Sequence, residues 1–263
     1  MSRQRVFDLV FGLLGGLLLL FILLPIASIL LGTTAEAFLQ ALTDPEVQRS
    51  IKITFGAALI ATALAALTGI PLAYLLARRT FRGKQLVEAL VYLPIIIPHT
   101  AAGIALLLVF GRRGLLGRGL EPIGMVFTDS LQGIVVGMLY VSLPFLVIMS
   151  REAFSLVDEE LEHVAQTDGA TPFQAFWHVT LPLASRGVLA GALTMWARAI
   201  SEFGAVVILS YHPKIVPLLV FERFQGFGLG AAQAVAALLI VIALTVFLIL
   251  RLALLPRQEQ QWQ

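Results

Sequence analysis

Six long apolar runs leave this chain one class of fold. They cover approximately residues 8–31, 51–77, 91–110, 131–150, 183–209 and 229–251. A hydrocarbon core about 30 Å thick takes about 20 helical residues to cross, and every run is long enough. None alternates polar and apolar residues with a period of two. Lipid offers no water to an open backbone group, so each run must close its hydrogen bonds within its own helix. The expectation is an all-α integral membrane protein with six transmembrane helices, forming a single transmembrane domain over residues 1–263.

Composition agrees and excludes alternatives. The chain is 59% hydrophobic and 13% charged, where a globular protein has about 45–50% apolar and about 25% charged residues. The apolar residues leave no stretch for a sizeable soluble domain. With no Cys, a disulfide framework, a thiolate zinc site and an iron–sulfur cluster are all excluded. Arg3 and Arg5 before the first run, with "AEA" at 35–37, imitate a secretory signal. The run is longer than the about 7–15 residues of a signal core, so it is read as a retained span.

Six spans put the N-terminus, the 78–90 loop, the 151–182 loop and the C-terminus on one side. Ten basic residues fall there: Arg3, Arg5, Arg78, Arg79, Arg82, Lys84, Arg151, Arg186, Arg251 and Arg257. Seven fall opposite, and Arg198 stays inside a span. The excess of positive charge marks the cytoplasmic side, so both termini are expected inside. Against that bias stands "GRRGLLGRG" at 111–119, with Arg112, Arg113 and Arg118 outside. It reads as a solvated Gly-rich turn or as an external basic patch that attracts an anion or an acidic partner protein.

The loop 152–182 is shaped by its residues. Acidic side chains at 158–160 suit a helix start, and Gly169 suits the position just past its end. Thr171 is a cap for a second helix, Pro172 fits its first position, and Pro182 is expected to stop it at Leu181. One apolar face collects Val157, Leu161, Val164 and Ala165, and the other Phe173, Phe176 and Trp177. An aromatic face outside the bilayer must be covered by lipid surface, by the chain's own loops or by another protein.

The run "HVAQTDGATPFQAFWHVTLP" resembles the EAA loop of ATP-binding-cassette (ABC) importer permeases. Their pattern is Glu-Ala-Ala, three residues, Gly, nine residues, Ile, one residue, Leu-Pro. Here Gly169, Val179, Leu181 and Pro182 keep that spacing. The pattern's Glu falls at His163, with Glu162 one place earlier. The runs 93–111 and 196–210 look like the matching spans of molybdate, tungstate and sulfate permeases, molybdate/tungstate above all. The resemblance implies the type I importer architecture with a short cytoplasmic coupling helix, inserted into an ATPase subunit. It assigns ATPase coupling to Glu162, His163, Ala165, Gly169, Ala170, Thr171, Pro172, Phe173, Phe176, Trp177, Leu181 and Pro182. It further implies two such permeases as a homodimer in a prokaryotic inner membrane, two ATPase subunits and an external oxyanion-binding protein. Sulfate or thiosulfate is the alternative cargo.

No catalytic residue is expected. The only Gly-Lys pair, Gly83-Lys84, is followed by Gln, so the phosphate-binding G-x-x-x-x-G-K-[ST] is absent,. ATP is left to a partner subunit; no cofactor, metal or nucleic acid is expected on this chain. His99, His163, His178 and His212 are scattered in sequence. Candidates for the translocation path and gate are Pro94, Pro98, His99, Thr100, Gly103, Glu202, Phe203 and Gly204. Two prolines four apart free backbone carbonyls, for a path or only for a kink. Arg198 and Glu202, four apart on the fifth run, form an intramembrane ion pair. The pair is read as mutual neutralisation beside the gate, with direct anion binding by Arg198 as the competing role. A gradient-driven secondary transporter or channel is the alternative of a different class; no internal repeat supports it.

Overall fold

Every regular element among residues 3–254, the part described by the computed structural model, is helical. In chain order the helices are α1 (Arg3–Leu31), α2 (Ala35–Thr43), α3 (Pro45–Arg78), α4 (Lys84–Ile96), α5 (His99–Phe110) and α6 (Gly117–Leu120). They continue with α7 (Leu131–Ser155), α8 (Glu159–Thr167), α9 (Pro172–Ala175), α10 (Leu181–Ile200), α11 (Gly204–Leu209), α12 (Val216–Phe227) and α13 (Leu229–Leu254). Arg257 lies outside the described residues.

Four helices, α1, α3, α7 and α13, are each long and apolar enough to cross a membrane, and the bent pair α4 and α5 makes a fifth if counted as one. The third and fifth apolar runs are therefore not continuous helices. In the third, Pro98 forces Ile97 into an extended conformation (φ −72°, ψ 133°), because its ring clashes with a helical predecessor. α5 then leaves at 113° to α4. In the fifth, α10 ends at Ile200 and α11 begins at Gly204. The "AEA" at 35–37 forms the first turn of α2, capped by the Thr34 hydroxyl.

α3, α7 and α10 form the centre. Ala57, Ala58, Ala61, Ala65 and Ala73 on α3 are fully buried, and such small side chains allow the close helix approach that holds bundles together in lipid. The first three pack with Ile134, Val135 and Met138 of α7 and Trp196, Ala199 and Ile200 of α10. On α10, Gly187 and Gly191 rest against Ala153 and Met149 of α7; Gly12 and Gly16 on α1 have no neighbour within 4 Å. No residue of α1 is buried, which leaves its apolar surface to lipid.

α3 sets the height of the molecule. Its 34 residues extend about 50 Å at the helical rise. At its start Asp44 accepts from the Glu46 and Val47 amides and holds Arg223 at 2.6 Å, while Lys214 bridges Glu46 at 3.0 Å and Glu222 at 2.7 Å. At its end Tyr74 and Arg78 grip the 152–182 loop. Arg112, Arg113 and Arg118, all exposed, follow α5 and precede α7, at the end away from that loop.

Candidate functional site

Two arrangements stand out, one at each level of the bundle. The first is the loop. Asp158 caps α8 by accepting from the Glu160 amide at 3.0 Å. α8 ends where Gly169 turns left-handed at φ +98°, a conformation that costs a side-chain-bearing residue more than Gly. The Gly169 amide donates to Gln166 and the Ala170 amide to Ala165, the paired bonds that satisfy the last helical carbonyls. Thr171 and Gln174 then cap α9 reciprocally, at 2.8 and 3.3 Å.

Pro182 does not stop this second helix. A π turn, Phe176–Thr180, carries α9 into α10, with Pro182 in the first turn of α10. Pro has no N–H, and its ring crowds the carbonyl four residues back. The wider turn absorbs both: the Leu181 amide reaches back to the Phe176 carbonyl, five residues away.

Glu162 is the keystone of the loop, and it points inward. Its carboxylate accepts from Tyr74 at 2.7 Å, Thr180 at 2.7 Å and Arg78 Nε at 2.8 Å. Arg78 also donates to the Val157 carbonyl at 2.8 Å. Burial alone would raise the Glu162 pKa; the bonds from Tyr74, Thr180 and Arg78 outweigh it and hold the carboxyl below the usual range,. Phe176 likewise turns inward, 4.8 Å from Tyr74 and 5.9 Å from Phe154 between ring centroids. The outward surface is Phe173 at 70% and Trp177 at 49% exposure, beside Leu161 and Val164. His163 is exposed too, whereas Ala165 is partly covered. The sequence grouped Phe176 with Phe173 and Trp177 on one face; in the structure Phe176 keeps an edge contact with Trp177 at 5.8 Å but is partly buried, while Phe173 and Trp177 are exposed.

The second arrangement joins the two broken runs. Glu202 is fully buried. One carboxylate oxygen accepts from the Ala205 amide at 2.8 Å; the other meets Arg198 Nη2 at 2.9 Å and His99 Nδ1 at 3.1 Å. A Cβ on Gly103 would stand 2.8 Å from Ile208 Cβ, and one on Gly204 2.8 Å from His99 Cβ, so both glycines allow α5 to lie on α11. Thr100 is exposed, and the Phe203 ring lies tilted against Phe221, 5.1 Å between centroids. Pro98 marks the break, whereas Pro94 is buried within α4, away from the cluster. Arg198 and Glu202 are in contact at 2.9 Å, and Glu202 sits in the break after α10, not inside a continuous span.

Comparison with known proteins identifies what carries these two arrangements. The family described as binding-protein-dependent transport system inner membrane component matches residues 69–260. This chain belongs to that family. The permease is 42% identical over 253 residues to the molybdate/tungstate transport system permease protein of Pyrococcus furiosus, covering 95% of this chain and 96% of that one. It is 34% identical over 252 residues to the sulfate transport system permease protein of Synechocystis, covering 93% and 86%. Its fold is that of ABC importers: a bacterial alginate ABC transporter in complex with a pentasaccharide-bound periplasmic protein matches at TM-score 0.75, 19% identity, over 94% of each chain. The inward-facing methionine ABC transporter matches at TM-score 0.61, 17% identity, over 79% and 92%. Membership sets aside the gradient-driven alternative and makes the chain a multi-pass inner-membrane transport subunit. Sequence reasoning missed Tyr74, Arg78 and Thr180 as anchors and His99 as the third member of the buried cluster. Only Arg78, basic at the end of a span, left a trace.

Proposed function

We propose that the permease forms, as a homodimer, the path of an ATP-driven importer for a tetrahedral oxyanion, molybdate or tungstate, delivered by an external binding protein. Two separate ATPase subunits drive it through α9 and the π turn, which form the coupling helix. The carrying observation is the division of labour in the loop. Glu162 fastens the α8–α9 hairpin to α3 while Phe173 and Trp177 stay uncovered. A hairpin held from behind and aromatic in front transmits a push. No Lys or Arg occurs between 152 and 182, so a membrane-surface role, which favours basic polar faces, is poorly served.

Molybdate or tungstate is preferred to sulfate because the identity to relatives named for them is higher, 42% against 34%. The cytoplasmic face is the loop face, with both termini inside and six spans, the fifth formed by α10 and α11. The pathway and gate run past Pro98, His99, Thr100, Gly103, Phe203 and Gly204. The exposed Arg112, Arg113 and Arg118 at the opposite end receive the binding protein. The test is uptake of radiolabelled molybdate, tungstate and sulfate into vesicles holding permease, ATPase and binding protein. Uptake of molybdate or tungstate that needs all three components is expected; uptake without the ATPase would overturn the reading.

A further inference from the structure

The Arg198 guanidinium has two edges with different duties. Nη2 is occupied by Glu202 and by His99, whose ring nitrogens lie 2.9 and 3.0 Å away. Nη1 reaches only the Ser201 hydroxyl, at 3.2 Å, and that hydroxyl donates back to the Arg198 carbonyl. A guanidinium carries five N–H groups, so the second N–H of Nη1 and that of Nε have no acceptor among the described residues. Ser201, whose hydroxyl meets Nη1, is exposed, and the side chain of His99 is 37% exposed. Thr100, next in the chain to His99, is exposed too, with its backbone against Gly204.

This polar face is embedded in an apolar belt. Ile96, 75% exposed, precedes it, and Ile104, 52% exposed, follows it on α5. Unsatisfied donors at that depth do not face hydrocarbon; they line water or another protein. The cluster is also electrically balanced at its core, since Glu202 cancels Arg198. A tetrahedral oxyanion presents acceptors only, and what it meets here is the free edge of the guanidinium with a permanent counter-charge behind it.

We propose that the open Nη1–Nε edge of Arg198, flanked by the exposed Ser201 and Thr100, is an oxyanion waypoint, and that Glu202 keeps it weak enough to release its cargo. The waypoint rests on the oxyanion-importer reading above. One guanidinium then serves both duties, locking the broken helices through Nη2 and touching cargo through Nη1. An anion passes because full affinity for a divalent ion never develops.

The chain has no Cys, so a single introduced thiol reports cleanly. Ser201→Cys and, separately, Thr100→Cys are placed in the full complex in vesicles and treated with an anionic, water-borne thiosulfonate during ATP turnover. Labelling of the permease chain is read by mass. Both thiols are expected to react, and molybdate with binding protein is expected to slow the reaction at least threefold. Equal rates with and without molybdate would overturn the waypoint. So would two unreactive thiols, the result for a dry seam between copies or a lipid-facing site. Uptake by the unsubstituted complex is measured alongside. If it imports molybdate or tungstate and protection is absent, only the waypoint fails; if it imports no oxyanion, the importer reading fails beneath it.

Discussion

Tyr74 donates a 2.7 Å hydrogen bond to Glu162 across 88 positions of sequence. That bond ties the end of α3 to the 152–182 loop. With Arg78 it makes a nearly water-free anchor: the side chains of Arg78 and Glu162 are 6% and 7% exposed. Removing one partner of such a pair costs about 3–5 kcal/mol, because the other charge is left buried and alone. Glu162→Ala should therefore free the α8–α9 hairpin. Proteolysis confined to residues 152–182 is the expected readout, with the transmembrane helices intact.

The same anchor has a pH signature. Glu162 has its folded pKa below the ordinary 4.5, so its stabilisation is complete above that value and is lost as pH falls through the lower, folded one. Loop proteolysis should be flat from about pH 8 to about pH 5 and accelerate only at more acid pH. In Glu162→Gln that acid step should be missing.

Phe173 and Trp177 should behave differently from Phe176. Exposed aromatic anchors at an interface are each worth about 2 kcal/mol or more, so Phe173→Ala with Trp177→Ala should weaken ATPase association at least about tenfold. The melting temperature of the isolated permease should not change. Phe176→Ala should do the reverse, lowering thermal stability by less than the about 3–5 kcal/mol of a fully buried Phe. Equal effects of both on association would mean that inward and outward aromatics do not have separate roles.

How much of this was legible depended on range. The loop announced itself because its signals are local: Asp158, Gly169, Thr171 and Pro172 act within a turn of where they stand. The direction of Glu162 was hidden because it depends on Tyr74 and Arg78, more than 80 positions away. Apolar runs revealed membrane helices but not the 113° bend at Pro98, since hydrophobicity is blind to direction. The break after Ile200 had a signal in Ser201-Glu202-Phe203-Gly204, a carboxylate followed by Gly in an otherwise apolar run. That carboxylate caps α11 by accepting from the Ala205 amide. Pro182 misled for a physical reason: a proline inside a helix is costly only while the turn stays α-helical.

Gly103 offers a steric test of the α5–α11 contact. A methyl there would lie 2.9 Å from the Ala205 carbonyl oxygen as well as 2.8 Å from Ile208 Cβ. Neither is the far end of a flexible chain, so Gly103→Ala should cost about 1–3 kcal/mol as overpacking. Gly56→Ala, with no neighbour within 4 Å of its new methyl, is the control and should melt no earlier than the unsubstituted protein.

The three exposed arginines at the far end, Arg112, Arg113 and Arg118, offer a test by long-range charge. Neutralising them together should lower binding-protein-dependent uptake at low salt and have a smaller effect at high salt. Identical uptake at both salt concentrations would make the segment an ordinary solvated turn.

Arg198 and Glu202 distinguish a structural pair from a bare cation in the path. Each charge alone is expensive inside the membrane, and Glu202 is fully buried. Arg198→Ala strands the carboxylate, and Glu202→Ala strands the guanidinium; each should reduce the yield of folded complex. The double variant should recover part of it, because the larger penalty comes from leaving one charge unpaired. Recovery stays partial since the Ala205 amide and His99 also lose their acceptor. Glu202→Gln keeps an acceptor for Ala205 while removing the charge, so its yield should fall between Glu202→Ala and the unsubstituted protein. Transport per folded complex separates the second duty. It should stay low in the double variant, which has no guanidinium to touch cargo even where assembly returns. Normal assembly of Arg198→Ala, with no recovery in the double, would remove the structural duty and leave Arg198 to the anion path alone.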